Sequence, residues 1–588
     1  MAALFTTPKR NGKTSGAHFI EPDVRRRTLL AHGSWRRVTR RIVVGAVCAL
    51  TVSSLLMPSV SLAAEWVNVG GTQYNTAAGD EAGTWAWDGA DDMKLNGYNG
   101  GAIEAAGKLN VSYEGNNTVT NDDGRGIKVK DGANENAELN IQGNASSTLN
   151  VTSSRDAITS VGNINIDGAG TVNATSTEHD AIDAGGDVTI KGSGNVNATG
   201  DSDGIRADGN ITIDNSGTVT AKATEDQGID ANENLIIKGG GKVEASSIED
   251  NAIWADGSIE ISGGSQVKAS SEEDAAIDGK NSLTVTNASL NASGVGYGIY
   301  VYKGITLDGA TVTVRASSDG GEVSALFTDE DDIVIKNGST VDALAEGRFS
   351  VAISTSNFYS GEAGGHIYIS DSVVKAIARY AETGGDGPDH YSGDQDGEIA
   401  PERRGVNFGI FARTKEGITP ATISIVRSKV TAEGDTAAIF ALAMSADGEA
   451  IGTIEIEGAP IQTPTGGKII GYRNKEELDD GIFYAVGQTI GTGDAVIDSP
   501  YNEAVARSTV IAPPEEIKPE EKPGETKPEG SKSEGTKTTK TVAVAATGAK
   551  IAGKLAATGD ASSAAIIATA LVGTAAIVTG ALASRKRS

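Results

Sequence analysis

Acidic side chains recur at a nearly constant interval through the middle of the chain. Five of them are candidate calcium ligands: Asp156, Asp180, Asp203, Glu225 and Glu249. If successive sequence units stack, carboxylates at matching positions lie about 5 Å apart. Like charges at that separation raise each other's pKa unless a cation lies between them, and Ca²⁺ accepts carboxylate and amide oxygens in flexible turns. The alternative is that these are solvated turn residues that point away from one another.

A second acidic group lies in the segment DQDGE, where Asp394, Asp396 and Glu398 alternate with other residues. This spacing resembles a fragment of a calcium-binding loop, although the full twelve-residue pattern of such loops is missing. Calcium is therefore the cofactor that the sequence favours, with two separate candidate sites.

A column of side chains follows the position directly after a recurring isoleucine. Because neighbouring residues of a strand point in opposite directions, this position faces outwards where the isoleucine faces inwards. The column is charged at first and then largely aromatic, and we predict that four of its members bind a carbohydrate ligand: Trp254, Asp278, Tyr300 and Phe327. Aromatic rings beside carboxylates form a platform on which sugar rings stack. The alternative, for Trp254 and Tyr300 as for the phenylalanines, is that the long loops that follow fold over this face, with the phenylalanines forming a second small core.

The charged part of this column is the nearest approach to a catalytic arrangement. Arg206 follows Asp183 by one unit and precedes Asp230 by one unit. A polysaccharide lyase needs clustered carboxylates and a positioned base, and a glycoside hydrolase needs two carboxylates across a cleft. No motif in the sequence identifies either arrangement, so we expect a non-catalytic protein and assign no catalytic residues. A lyase or hydrolase on the same scaffold is the first alternative, and a structural stalk is the second.

The repeat itself must position these side chains. An isoleucine preceded by Ala or Gly returns about every 24 residues. Each unit, such as DAIDAGGDVTIKGSGNVNATG at 180–200, holds three short alternating runs separated by turn-forming residues, which is typical of strands. Three strands per unit predict an all-β, right-handed parallel β-helix. The recurring residues, called anchors below, are Ile103, Ile127, Ile158, Ile182, Ile205, Ile229, Ile253, Ile277 and Ile299, with weaker continuations at Leu326, Ile353, Ile410, Ile439 and Ile482.

The β-helix is expected to occupy residues 101–500. We expect the tryptophan-rich residues 64–100 to cap its open end, since a bare sheet edge invites pairing with other chains. The long interval from Ile353 to Ile410 is expected to hold roughly one extra coil and a projecting segment. Residues 501–554 include a run rich in Pro, Glu and Lys and are expected to form a disordered spacer.

The N-terminal residues 1–63 have the layout of a secretory signal peptide, with paired arginines before an apolar stretch. The arginine pair Arg40–Arg41 also resembles a twin-arginine signal, so both export routes stay open. The lone cysteine, Cys48, lies within this region. The mature chain is therefore expected to lack disulfides.

The C-terminal residues 555–588 begin with the pentapeptide Leu555, Ala556, Ala557, Thr558 and Gly559. An apolar run at 561–583, long enough to span a bilayer, follows and precedes a basic end. This order resembles a Gram-positive sortase sorting signal of the LAxTG type. The resemblance implies cleavage after Thr558 and covalent attachment to peptidoglycan, with sortase as a partner and the membrane as a partner before cleavage. A plain transmembrane anchor is the alternative.

Charge excludes one class of partner. The chain carries a formal net charge of −28, and the predicted processing would remove mostly basic residues. Nucleic acid phosphates require a basic face, so we expect no nucleic acid partner.

The repeated unit D-[AG]-I-x-A-x-G-x-[IV]-x-I occurs as DAIDAGGDVTI, DGIRADGNITI and NAIWADGSIEI. It resembles a family of bacterial surface β-helices described as carbohydrate-binding domain-containing, over about residues 103–310. The resemblance implies a pectate-lyase-like fold and calcium-dependent binding of acidic plant polysaccharide. We therefore expect an extracellular, cell-wall-attached, adhesin-like protein whose partner is a polysaccharide or a host or plant glycan.

Overall fold

A computed structural model describes residues 63–132, 137–318, 322–355, 364–380, 406–414, 421–443, 453–472, 483–488 and 505–514. These residues are all-β and contain no helix, and their strands form three long sheets dominated by parallel pairs. The order of the strands repeats every three, which is the arrangement of a β-solenoid. The predicted all-β repeat fold is confirmed at this level. Nearly all of the signal peptide, most of the spacer and the whole sorting signal lie outside the described residues.

The strands, in chain order, are β1 Trp66–Val69, β2 Thr72–Tyr74, β3 Ala78–Gly79, β4 Trp85–Trp87, β5 Asp92–Asn96, β6 Asn99–Gly100, β7 Ile103–Ala106, β8 Lys108–Glu114, β9 Asn116–Asn121, β10 Ile127–Lys130, β11 Glu138–Gly143, β12 Thr148–Ser153, β13 Ile158–Ser160, β14 Asn163–Gly168, β15 Thr171–Ser176, β16 Ile182–Ala184, β17 Val188–Gly192, β18 Asn195–Thr199, β19 Ile205–Ala207, β20 Ile211–Asn215, β21 Thr218–Lys222, β22 Ile229–Ala231, β23 Leu235–Lys238 and β24 Lys242–Ser247. They continue with β25 Ile253–Ala255, β26 Ile259–Ile261, β27 Gln266–Ser271, β28 Ile277–Gly279, β29 Leu283–Thr286, β30 Ser289–Val295, β31 Tyr297–Val301, β32 Ile305–Asp308, β33 Thr311–Ser317, β34 Glu322–Thr328, β35 Ile333–Lys336, β36 Thr340–Glu346, β37 Phe349–Thr355, β38 Ile367–Ser370, β39 Val373–Arg379, β40 Val406–Thr414, β41 Thr422–Val426, β42 Lys429–Glu433, β43 Ala437–Ala443, β44 Thr453–Glu457, β45 Ile461–Thr463, β46 Lys468–Tyr472, β47 Phe483–Gly487 and β48 Ser508–Ile511.

The anchor sheet consists of β7 and every third strand from there to β43. Each anchor from Ile103 to Ile439 lies directly opposite the next one across a parallel pair. All of these anchors are fully buried. Burying an isoleucine side chain contributes about 1.5–3 kcal/mol relative to leaving it exposed, so a stacked column of small aliphatic side chains forms a core with few aromatic residues. Ile482 lies outside the described residues.

The second sheet runs from β8 through every third strand to β44, and the third sheet runs from β9 in the same way to β42. Inward positions alternate with outward ones in both, as in the buried–exposed pattern of β18. Successive coils approach closely at their turns. A Cβ added to Gly162 would lie 1.8 Å from the carbonyl oxygen of Ala137 in the preceding coil, so only glycine fits there.

The prediction of an extra coil between Ile353 and Ile410 is wrong. These two anchors are direct partners in the β37–β40 pair, so no further rung lies between them. The interval contains the two other strands of one coil, β38 and β39. The additional residues therefore do not interrupt the stack.

Antiparallel strands lie at both ends of the sheets. At the N-terminal end, β1 pairs with β2 and β7, and β4 pairs with β3 and β5. Trp85 and Trp87 are buried in this region, and the indole N–H of Trp87 donates to the carbonyl of Ala90 at 2.8 Å. Trp66 is only partly buried, with the ammonium of Lys130 4.5 Å from its ring centroid.

At the C-terminal end, the expected start of the spacer at residue 501 is wrong. Residues 508–511 form β48, which pairs antiparallel with β42 and β45. Ile511 is fully buried. The folded part therefore extends past residue 501, because the alternating apolar residues of this segment complete the third sheet.

Candidate functional site

The outward column of the anchor sheet is continuous in register. Parallel pairing places seven of its members on consecutive strands in the order Asp183, Arg206, Asp230, Trp254, Asp278, Tyr300 and Phe327. The first three form a charged group, and the other four are three aromatic residues and Asp278. The predicted alignment of these residues is confirmed, whereas their exposure differs from one to the next.

Trp254 is partly exposed on β25. Its indole N–H donates to Oδ1 of Asp256 at 3.2 Å. The ammonium of Lys280 lies 4.7 Å from the centroid of the indole ring and also forms an ion pair with Asp256. These contacts orient the ring by a hydrogen bond and a cation–π interaction.

Asp278 occupies the rung between Trp254 and Tyr300 and is partly buried. Burial, together with the charges of Asp274 and Asp250, raises the pKa of Asp278 to about 7. Near neutral pH this carboxyl group therefore exists in both protonation states, and it can both donate to and accept from a hydroxyl group.

Tyr300 is also partly exposed. Its hydroxyl donates to Oδ2 of Asp329 at 2.8 Å, and its ring stacks on Phe327 with a centroid distance of 5.3 Å and an interplanar angle of 13°. Tyr297 packs against both rings. The phenol is thus held rigidly by a small aromatic group.

The prediction that Phe327 offers an exposed surface for sugar stacking is wrong, because its side chain is fully buried. Farther along the column, Phe411 and Phe440 are buried as well, and together with Phe408 they form a group of three rings with centroid distances of 5.0–5.8 Å. These phenylalanines therefore fit the alternative expectation, in which they form a second small core. Exposed aromatic surface is restricted to Trp254 and Tyr300 among the candidate residues.

A carboxylate triad lies at the start of the charged group. Asp156, Asp180 and Asp183 each offer an oxygen atom within 4.8 Å of the others. Sequence reasoning proposed Asp156 and Asp180 as metal ligands but placed Asp183 only in the outward column. The D-x-x-D spacing of Asp180 and Asp183 could have indicated that both flank the same anchor, Ile182.

Each carboxylate of the triad already has protein contacts. Arg125 donates from Nε to Oδ2 of Asp156 at 2.6 Å, and the backbone N–H of Asp203 donates to Oδ1 of Asp180 at 3.1 Å. Burial, followed by the charge of Asp183, raises the pKa of Asp180 to about 7. Burial and Asp180 also raise the pKa of Asp203 well above its ordinary value. The group accumulates more negative charge than its surroundings stabilise.

Arg206 partly compensates this charge. Its guanidinium lies 3.3 Å from Asp183, 3.3 Å from Asp230 and 2.8 Å from Asp208. Burial alone would lower the pKa of Arg206, but the neighbouring carboxylates outweigh it and raise the pKa above its ordinary value. Arg206 therefore stays a cation that links consecutive coils.

The remaining candidate calcium ligands lie elsewhere. Glu225 and Glu249 are exposed on turns, and the described residues do not bring them into the triad. They therefore fit the alternative expectation of solvated turn residues, whose charges water screens. Asp394, Asp396 and Glu398 lie outside the described residues.

Comparison with known proteins returned no matching family model, no similar curated protein and no similar solved structure. Within the ranges that the structure describes, no helix is long and apolar enough to cross a membrane.

Proposed function

We propose that this protein is a non-catalytic, adhesin-like protein that binds carbohydrate. One observation carries the proposal: Trp254, Asp278 and Tyr300 lie on three consecutive rungs of one outward column, and all three remain partly exposed. Adjacent parallel strands are about 4.8 Å apart, so the two rings are about 10 Å apart with a carboxyl group between them. Rigid aromatic faces suit sugar rings, and the carboxyl group suits their hydroxyls.

The ligand is an acidic polysaccharide, and calcium assists its binding. Asp156, Asp180 and Asp183 would hold the ion, since Ca²⁺ prefers six to eight oxygen ligands and tolerates irregular geometry. Three carboxylates leave coordination positions for water and for uronate groups of the ligand. A bound cation would also relieve the repulsion that contributes to the raised pKa of Asp180.

A lyase on the same scaffold receives less support. The basic residue of a lyase removes a proton from the substrate, which requires that it be deprotonated before the reaction begins. Carboxylates surround Arg206 and raise its pKa, so it is poorly suited to act as a base. Its contacts favour a structural role.

We further propose that the solenoid winds right-handed, as strand connections within parallel sheets do. The signal peptide at 1–63 and the sorting signal at 555–588 support export and covalent attachment to a Gram-positive cell wall through Thr558. The membrane helix at 561–583 and the spacer belong to the same proposal. The binding column would then be displayed outside the cell.

A glycan array, probed with purified protein in Ca²⁺ and again in EDTA, tests the proposal. We expect retention on uronate-containing glycans that EDTA weakens. A parallel lyase assay follows the absorbance of unsaturated uronate products. Product formation that disappears in an Arg206→Ala variant would replace the proposal with a lyase, and no retention on any glycan would refute carbohydrate binding.

A further inference from the structure

A shallow groove crosses the outer face of the third sheet, away from the anchor column. It spans strands β24, β27, β30 and β33, which lie side by side in parallel register. Polar side chains that line it include Lys242, Gln266, Lys268, Asn291, Thr311 and Thr313. Most of these side chains are exposed, so the groove is accessible along its length.

A column of hydrogen-bonded asparagines in the earlier coils leads towards the groove, which begins two strands after Asn197. In the earlier coils, Asn173 donates to Asn150 and Asn197 donates to Asn173, both at 2.8 Å. Parallel pairing continues the same column through Thr220 and Glu244 to Lys268, Asn291 and Thr313. The early asparagines thus bond to one another. In the described part of the chain, by contrast, the side chain of Asn291 makes no such bond.

Gln266, on the neighbouring outward column, resembles Asn291 in this respect. It follows Lys242 in register and is exposed, and among the residues described its amide group has no protein partner. Amide groups that are free at a surface can exchange water for ligand hydroxyls at little cost. The groove therefore presents unused donors and acceptors in two parallel columns.

The charge of the groove is opposite to that of the protein. Lys242 and Lys268 are exposed on adjacent strands, with Lys222 on the strand before them, in a chain with a formal net charge of −28. One acid lies among them, Glu244, which pairs with Lys242 at 2.6 Å. The hydrogen bond from Lys242 lowers the pKa of Glu244, and the charges of Lys268 and Lys222 lower it further.

We propose that this groove is a second carbohydrate site, which binds a linear anionic polysaccharide through its carboxylate or sulfate groups without calcium. The inference rests on the proposed carbohydrate-binding function and adds a separate site to it. Lys242 and Lys268 pair with the anionic groups, and Gln266 and Asn291 bond to hydroxyls. Strands repeat every 4.8 Å or so, close to the length of one sugar in an extended chain, so the ligand runs along the solenoid axis.

The test is binding of polygalacturonate, dextran sulfate and neutral dextran in EDTA, measured by biolayer interferometry. The double variant Lys242→Gln/Lys268→Gln should weaken binding of at least one anionic polymer about tenfold, as expected for the loss of two exposed ion pairs. A matched control is Lys238→Gln/Lys336→Gln on the second sheet, where the side chains of the two lysines are 45% and 37% exposed. It has the same change in net charge and should bind as the unmodified protein does.

Glu244→Gln provides a variant that gains affinity. It frees Lys242 and removes the one acid within the lysine group, so we expect binding about two- to threefold tighter at low salt. Equal binding by the unmodified protein and the groove double variant would overturn the second site. If calcium-dependent binding through Trp254 then persisted, the proposed carbohydrate-binding function would stand without the second site. Retention of neutral dextran as strong as that of the anionic polymers would also overturn the second site.

Discussion

The backbone N–H of Asp203 donates to Oδ1 of Asp180, so a partly buried and a buried carboxyl group follow each other on adjacent coils. The same relationship continues one coil farther, where the N–H of Gln227 donates to Oδ1 of Asp203 at 2.8 Å. Backbone donors thus fix the spacing of these acids. The stack imposes proximity on groups that repel each other when ionised.

We predict that stability falls as the pH rises through this group. The pKa of Asp180 is raised from 3.8 to about 7 in the folded state, so the folded protein binds a proton that the unfolded chain has released over that window. Stability must then decrease between pH 4 and pH 7 or so. Asp180→Asn keeps the oxygen acceptor but cannot ionise. Its melting temperature should therefore fall less between pH 5 and pH 8 than that of the unmodified protein.

The exposed residue Glu249 supplies the control for this measurement. Glu249→Gln also removes one carboxylate, but from a solvated turn, and it should preserve the original pH dependence. Identical pH profiles for Asp180→Asn and the unmodified protein would contradict the raised pKa of Asp180, which burial and the charge of Asp183 cause.

A second prediction concerns calcium. Isothermal titration calorimetry at pH 8, where Asp180 is ionised, should detect Ca²⁺ binding that Asp183→Asn abolishes and Glu225→Gln preserves. At 100-fold excess over the dissociation constant, binding stabilises the folded state by about 2.7 kcal/mol. Binding should weaken at pH 5 because protons then compete for the same oxygens. Binding that survives in Asp183→Asn would place the ion outside the triad.

A third prediction concerns the anchor column. Ile229 is fully buried between Ile205 and Ile253. Ile229→Ala should lower the free energy of unfolding by about 2–5 kcal/mol and Ile229→Val by about 0.5–1.5 kcal/mol, measured by urea denaturation. Ile248 is 43% exposed and serves as the control. If Ile248→Ala lowered the free energy of unfolding as much as Ile229→Ala, burial would not explain the regular recurrence of the isoleucines within this chain.

A fourth prediction separates the two ring positions. Trp254→Ala should weaken binding of the best glycan about tenfold, which corresponds to about 1.4 kcal/mol, because the stacking face is lost. Tyr300→Phe retains the ring and loses only the hydrogen bond to Asp329, so it should bind nearly normally. Tyr368 is an exposed tyrosine of the second sheet, and Tyr368→Ala is the control. Affinity purification on immobilised glycan, with elution by free ligand, distinguishes these variants.

A fifth prediction concerns attachment to the cell. In a Gram-positive host with sortase, Thr558→Ala should move the protein from the cell-wall fraction to the membrane fraction. The chain contains a matched control, because Thr547 lies in the near-copy VAATG that lacks the leucine. Thr547→Ala should remain in the wall. Wall attachment that depends on Thr547 instead would assign the cleavage site to the upstream copy.

Local periodicity predicted the scaffold well, because every coil repeats the same pattern. The interval between Ile353 and Ile410 is the exception, because its length suggested an extra coil whereas the two anchors are direct partners. The burial of Phe327 could not be read from its position, since it depends on which neighbouring parts of the chain cover an outward column. The sequence likewise could not show that Asp183 belongs to the triad and Glu225 does not, because this depends on how the turns orient the side chains. Ile511 was missed because its strand pairs antiparallel, outside the repeat.

The direct pairing of Ile353 with Ile410 has a consequence for the whole molecule. A long segment can enter between two rungs without moving the rungs apart, because each strand bonds only to the coils on either side of it. Distance along the axis is therefore proportional to the number of coils and independent of the number of residues between them. Segments could be lengthened or shortened at these turns while the positions of Trp254, Tyr300 and the lysine groove relative to one another stay constant.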